Sequence, residues 1–88
     1  MQRTTRQFWQ RYHALPEEVR QQADKAFALL RSNAQHPSLQ FKKVGTLWSA
    51  RVSLAYRALA VQDGDDFIWV WIGSHDEYHR ILEKGGHH

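Results

Sequence analysis

The chain is predicted to be an α+β domain: two N-terminal helices packed on one face of a small, mainly antiparallel sheet, followed by a short C-terminal helix. Three observations predict it. Apolar residues recur at helical spacing up to Leu30, the period shortens to two from Ser38, and the helix-capping sequence Ser74-His75-Asp76-Glu77 follows the last apolar run.

The first helix is expected over Thr4 to Ala14. Thr4-x-x-Gln7 has the form of a capping box, and Phe8, Tyr12 and Leu15 follow at helical spacing. Pro16 ends this helix and suits the first turn of the next, where Glu17 and Glu18 complement the helix dipole. Val19, Ala23, Ala26, Phe27 and Leu30 make one apolar stripe, which Asn33 and His36-Pro37 bring to a stop. Beyond it, Leu39 to Lys43 reads as a short strand and Val44-Gly45-Thr46 as a turn. Leu47 to Val52 reads as a strand with Trp48, Ala50 and Val52 on one face and Ser49 and Arg51 on the other. Ala55 to Gln62 and Phe67 to Ile72 follow, joined by the Asp63-Gly64-Asp65 turn. The last of these is apolar on both faces and is expected at the centre of the sheet. Ser74 and Glu77 then cap a short helix through Tyr78, Ile81 and Leu82.

Length allows one domain, expected over residues 1–84, with Gly85 to His88 as a flexible tail that is either native or a tag remnant. A chain this short buries only roughly 60% of its unfolded surface. Its core must therefore be dense in large side chains, and four Trp, four Phe and three Tyr meet that need. There is no cysteine, which excludes a disulfide framework and fits a reducing, cytoplasmic setting. No segment is long and apolar enough to span a bilayer, and Met1 to Arg6 lacks the apolar stretch of a secretion signal. Twelve Lys and Arg against nine Asp and Glu give a net charge of +3, a balance that favours anionic partners.

Chemistry in such a chain rests on its side chains, since no metal cluster and no cofactor motif is evident. Phe41 to Arg57 and Trp69 to Tyr78 place Lys42, Lys43, Arg51, Arg57, His75 and Tyr78 on or beside the sheet. Cations with one group that titrates near neutrality suit a phosphodiester: guanidinium pairs with phosphate oxygens, and imidazole transfers protons. Each residue also has a plain structural reading. His75 is the first residue of a capped helix, and Tyr78 anchors that helix through Ile81 and Leu82. Lys42 and Lys43 are adjacent on a strand, so only one of them lines a given groove. Trp48, Trp69 and Trp71 read as core, although Trp48 has the ring needed to stack on single-stranded RNA. His13 and His36 read as surface residues.

Three stretches together resemble the RelE/ParE superfamily of bacterial toxins from type II toxin–antitoxin pairs. They are Leu15-Pro16-Glu17-Glu18-Val19 to Ala26-Phe27-Ala28-Leu29-Leu30; His36-Pro37-Ser38-Leu39-Gln40-Phe41-Lys42-Lys43 continuing through Trp48-Ser49-Ala50-Arg51-Val52 to Tyr56-Arg57-Ala58-Leu59; and Trp71-Ile72-Gly73-Ser74-His75-Asp76-Glu77-Tyr78. The likeness covers nearly the whole chain. It implies a toxin held inactive by a cognate antitoxin, an acidic and largely disordered segment that folds on binding. It implies one of two targets: messenger RNA, cut by the RelE-like branch and typically on the ribosome, or DNA gyrase, poisoned by the ParE-like branch. A non-catalytic antitoxin-binding relic is the third possibility on the same fold. In the nuclease branch the resemblance makes Arg57 the contact to the scissile phosphate, Arg51 a second cation on the preceding strand, and His75 a catalytic or phosphate-contacting group. Lys42, Lys43 and Tyr78 would bind RNA. The chain departs from the prototype in having His75 where the prototype has arginine, and in lacking its long C-terminal segment with a late tyrosine.

Overall fold

The computed structural model describes residues 1–85, so the Gly86 to His88 part of the expected tail lies outside the described residues. The elements run β1 (Gln2–Thr4), α1 (Arg6–His13), α2 (Glu17–Ser32), a 3₁₀ turn (Pro37–Leu39), β2 (Lys42–Val44), β3 (Leu47–Arg51), β4 (Tyr56–Asp63), β5 (Asp66–Ser74) and α3 (His75–Gly85). The strands form one mixed sheet in the order β1-β5-β4-β3-β2, with only the β1–β5 pair parallel. Among the described residues no helix is long and apolar enough to cross a membrane.

The N-terminus differs from the sequence reading. Residues 2–4 pair with Phe67, Ile68 and Trp69 instead of opening the helix. The cap therefore moves from Thr4 to Thr5, whose hydroxyl accepts from the Phe8 backbone N–H at 3.1 Å and donates to the Trp69 carbonyl at 3.0 Å. A three-residue polar strand carries no apolar alternation, so only tertiary pairing makes it a strand. Pairing on both sides makes β5 an interior strand, but the centre of the sheet is β4, a correction to the expected order.

The strand expected from Leu39 begins only at Lys42. Pro37 opens the 3₁₀ turn, and the His36 imidazole Nδ1 accepts from the Ser38 backbone N–H at 3.2 Å. The turn drives Leu39 into the core, and Gln40 leaves it in the left-handed region at φ 44°. The α2 stripe behaves as its spacing predicts: Val19, Ala23 and Leu30 are buried, and Ala26 and Phe27 pack beside them.

A β-bulge decides where the two inner tryptophans go. Leu59 pairs with Trp71, but its neighbour Ala60 pairs with Trp69, leaving Val70 as the extra residue. Trp69 and Trp71 therefore lie on opposite faces although they are two residues apart. Trp69 joins Phe8, Leu30, Leu39, Ala50, Ala58, Ala60 and Ile72 in the main core under α1 and α2. Trp71 joins Leu59 and Tyr78 in a smaller cluster under α3, with Leu47, Val70, Ile81 and Leu82 against it.

Candidate phosphodiester-binding site

The strand register assigns each candidate cation to a face. Lys42 pairs with Ser49, Ser49 with Leu59 and Leu59 with Trp71; Arg51 pairs with Arg57 and Arg57 with Gly73. Cross-strand partners share a face, so Lys42, Arg51 and Arg57 all belong to the face that carries α3. Lys43 pairs with Trp48, and Trp48 with Ala60, which places both on the α1–α2 face. Lys43 is thus separated from the other cations by the thickness of the sheet. Trp48 packs against Phe41 and Phe67, with ring centroids 4.9 and 5.2 Å away, and is tied to Gln62 through its indole N–H at 3.1 Å. It is a core residue rather than a stacking platform for RNA.

Arg57 is the best-positioned cation. It stands on the middle strand with its guanidinium carbon 5.2 Å from the centroid of the Tyr78 ring, within cation–π range. One terminal nitrogen, Nη2, donates to the Gln40 side-chain oxygen at 3.0 Å, a contact that the left-handed backbone of Gln40 makes available. The other, Nη1, is buried and has no hydrogen-bond partner. Tyr78 is only 4% exposed, so it offers no open ring face to a base. Its role is corrected accordingly: it is the floor under Arg57 and the anchor of α3.

His75 begins α3. Its backbone N–H donates to the Ala55 carbonyl at 2.7 Å, fixing the helix start to the loop before β4. The cap read from the sequence forms: the Ser74 hydroxyl accepts from the Glu77 backbone N–H at 3.2 Å and donates to the Glu77 carboxylate at 3.1 Å. The half-buried imidazole then lies 6.0 Å from the Tyr78 ring and 4.3 Å from the His79 ring. Arg57 and His75 are therefore both neighbours of the Tyr78 ring.

Arg51 takes a flanking position. It stands directly opposite Arg57 in the ladder, yet the groove of about 350 Å³ that it lines is shared with Gln22, Lys25, Leu29 and Ser53, not with Arg57 or His75. The expectation that Arg51, Arg57 and His75 enclose one pocket is not met: the strand end at Arg51 opens toward α2.

Three further residues belong to this neighbourhood. Arg11, from α1, lies 5.5 Å from the Trp71 ring centroid and 3.7 Å from the Glu77 carboxylate. His79 recurs one helical turn after His75, a spacing visible in the sequence. Gln40 and Arg11 have no local signal, since folding alone brings them here. Gly73 is required by the same packing, because a Cβ there would lie 2.5 Å from the Trp71 ring. Among the described residues, the buried side-chain polar atoms left without a partner are Ser49 Oγ, Arg57 Nη1 and Trp71 Nε1, all on residues of the α3 face. Each can donate a hydrogen bond, and such groups cost about 1–3 kcal/mol when unpaired.

A family model described as a ParE-like toxin domain matches residues 17–80. The chain belongs to the ParE-like toxin family. The matched span contains Arg51, Arg57, His75 and Tyr78, and β1 and α1 lie before it. Among solved structures, a chain of the RelB–RelE antitoxin–toxin complex from Methanococcus jannaschii superposes with a TM-score of 0.70 at 16% identity, over 90% of this chain and 96% of that one. YafQ from E. coli strain BL21(DE3) gives 0.66 at 10% identity, over 89% and 96%. The isolated E. coli RelE toxin gives 0.61 at 11% identity, over 96% of each chain. At these identities the likeness is one of fold. No curated protein sequence matches this member of the family.

Proposed function

We propose that this ParE-like family member is the toxin of a type II toxin–antitoxin pair and acts as a metal-independent endoribonuclease on messenger RNA, with Arg57 holding the scissile phosphate and His75 moving a proton. The observation that carries this reading is the grouping on Tyr78. The Arg57 guanidinium and the His75 imidazole both neighbour the Tyr78 ring on the cationic face of the sheet.

The reaction is a transesterification. The 2′-oxygen loses its proton and bonds to phosphorus, and the bond from phosphorus to the 5′-oxygen breaks as that oxygen gains a proton. The products end in a 2′,3′-cyclic phosphate and a 5′-hydroxyl. His75 serves one of the two proton transfers, as imidazole at the 2′-oxygen or imidazolium at the 5′-oxygen. Arg57 neutralises the charge that grows on the phosphorane. Lys42 and Arg51 guide the backbone along the same face, and the cytoplasmic ribosome presents the messenger.

The test is to induce the chain in cells and sequence transcript ends. New internal 5′ ends with growth arrest, both lost in Arg57→Ala and His75→Ala, are expected. The description of the matching family model favours one competitor, a DNA gyrase poison. Intact transcripts with trapped DNA breaks and an SOS response would establish that reading instead. For the partner, fold relatives solved as antitoxin–toxin complexes support an antitoxin. A small acidic protein encoded in the adjacent reading frame is expected to copurify with the chain and silence it.

A further inference from the structure

We infer that the outer face of α1 is a second RNA-contact surface, where a single-stranded stretch of the substrate stacks on Trp9 and sets a phosphate against Arg6. The inference rests on the endoribonuclease reading but concerns a part of the chain that precedes the matched family span.

Residues 1–15 carry Arg3, Arg6 and Arg11 and no acidic residue, in a chain whose whole net charge is +3. Two of these arginines are engaged, Arg3 with Asp66 and Arg11 with Glu77, both at 3.7 Å. Arg6 makes no ion pair among the described residues. Arg6, Trp9, Gln10 and His13 fall at i, i+3, i+4 and i+7, so they share one helix face, and all four are exposed. Trp9 is 40% exposed, against 1% for Trp69 and 6% for Trp71.

The exposed ring is held in place. The indole N–H donates to the Thr4 hydroxyl at 2.9 Å, and the ring meets Phe8 and Tyr12 edge-on at 5.2 and 5.0 Å. His13 lies 6.1 Å away, tilted by 33°, and widens the platform. Tyr12 is locked in turn by Asp24 at 2.6 Å, a bond that raises the phenol above its ordinary pKa and occupies the carboxylate behind the platform. A fixed ring loses little side-chain entropy when a base stacks on it. An aromatic ring ringed by Arg6, Gln10 and His13 suits a stacked base with its phosphate, whereas a protein-docking tryptophan sits in an apolar patch.

The probe is a fluorescent 2′-O-methyl oligouridylate, which lacks the attacking hydroxyl and stays intact, titrated into the full chain by anisotropy. Trp9→Ala is expected to weaken binding about tenfold, in line with the loss of one stacked base. Trp9→Phe, which keeps a ring but not the Thr4 contact, should retain most of the affinity. Arg6→Glu should weaken binding and lower the salt slope by about one phosphate contact. Circular dichroism melts confirm that each variant folds. Affinities of Trp9→Ala and Arg6→Glu within twofold of the parent overturn the inference, as does a parent that does not bind the probe. If cleavage of ordinary RNA is lost in Arg57→Ala but these affinities do not move, the nuclease reading stands alone. If the affinities fall but no RNA is cut, the surface stands and the nuclease reading fails.

Discussion

Trp69 and Trp71 are two residues apart on one strand, and they show how differently the two faces of this sheet are built. Trp69 is 1% exposed among aliphatic and aromatic neighbours, and its indole N–H reaches the Gln2 side-chain oxygen at 2.7 Å. Trp71 is nearly as buried, yet its N–H has no partner, and Arg11 lies over its ring. The first face is a finished core, with its buried side-chain polar groups paired among the described residues. The second carries unpaired donors, with Arg11, Arg57 and His75 around a small apolar cluster. A surface that leaves donors unpaired gives up stability, and functional sites are where such costs are tolerated. The bulge at Leu59/Ala60 is what separates the two, since without it both tryptophans would point the same way.

The largest effect should come from breaking the finished face. Trp69→Ala removes a fully buried ring and its hydrogen bond and is expected to cost about 3–5 kcal/mol, measured by urea unfolding. On the other face the same scale of effect should appear in rate. Arg57→Ala and His75→Ala are expected to lower RNA cleavage by about 10²–10³-fold. Arg57→Ala removes the unpaired Nη1 but also the Gln40 hydrogen bond and the Tyr78 contact, so its stability is expected to stay within about 1 kcal/mol of the parent. Gly73→Ala tests how the second face is packed. A methyl group aimed at the Trp71 ring should cost about 1–3 kcal/mol in unfolding measurements. The smallest and sharpest comparison is between Trp69→Phe and Trp71→Phe. The first deletes a hydrogen bond and the second only an unpaired donor, so the first should be the more destabilising by about 1 kcal/mol. Equal costs would mean that the two indoles are not so differently paired.

Much of the architecture was legible because its signals are local. The α2 stripe, the cap at Ser74 and Glu77, and the turn at Gly64 each depend on a few neighbouring residues. What escaped depends on distant ones. The Gln2–Thr4 strand exists only because β5 has a free edge, and a bulge is invisible to period-two counting. The candidate site divides along the same line. Arg57 and His75 are candidates by residue type and by resemblance, and the alternation rule allows only one of Lys42 and Lys43 on a given face. That Lys42 is the one on the α3 face, and that Tyr78 is buried beneath Arg57, requires the register and the packing of α3. Gln40 and Arg11 arrive from elements remote in sequence, so no motif could have announced them.

The most direct measurement is of the chemical ends produced when the purified chain meets a messenger with translating ribosomes present and divalent metals limited to those the ribosome retains. Fragments ending in a 2′,3′-cyclic phosphate and a 5′-hydroxyl, absent with Arg57→Ala, are the expected result. Intact messenger, or cutting that continues unchanged when both Arg57 and His75 are replaced by alanine, would contradict the assignment of RNA chemistry to the cationic face.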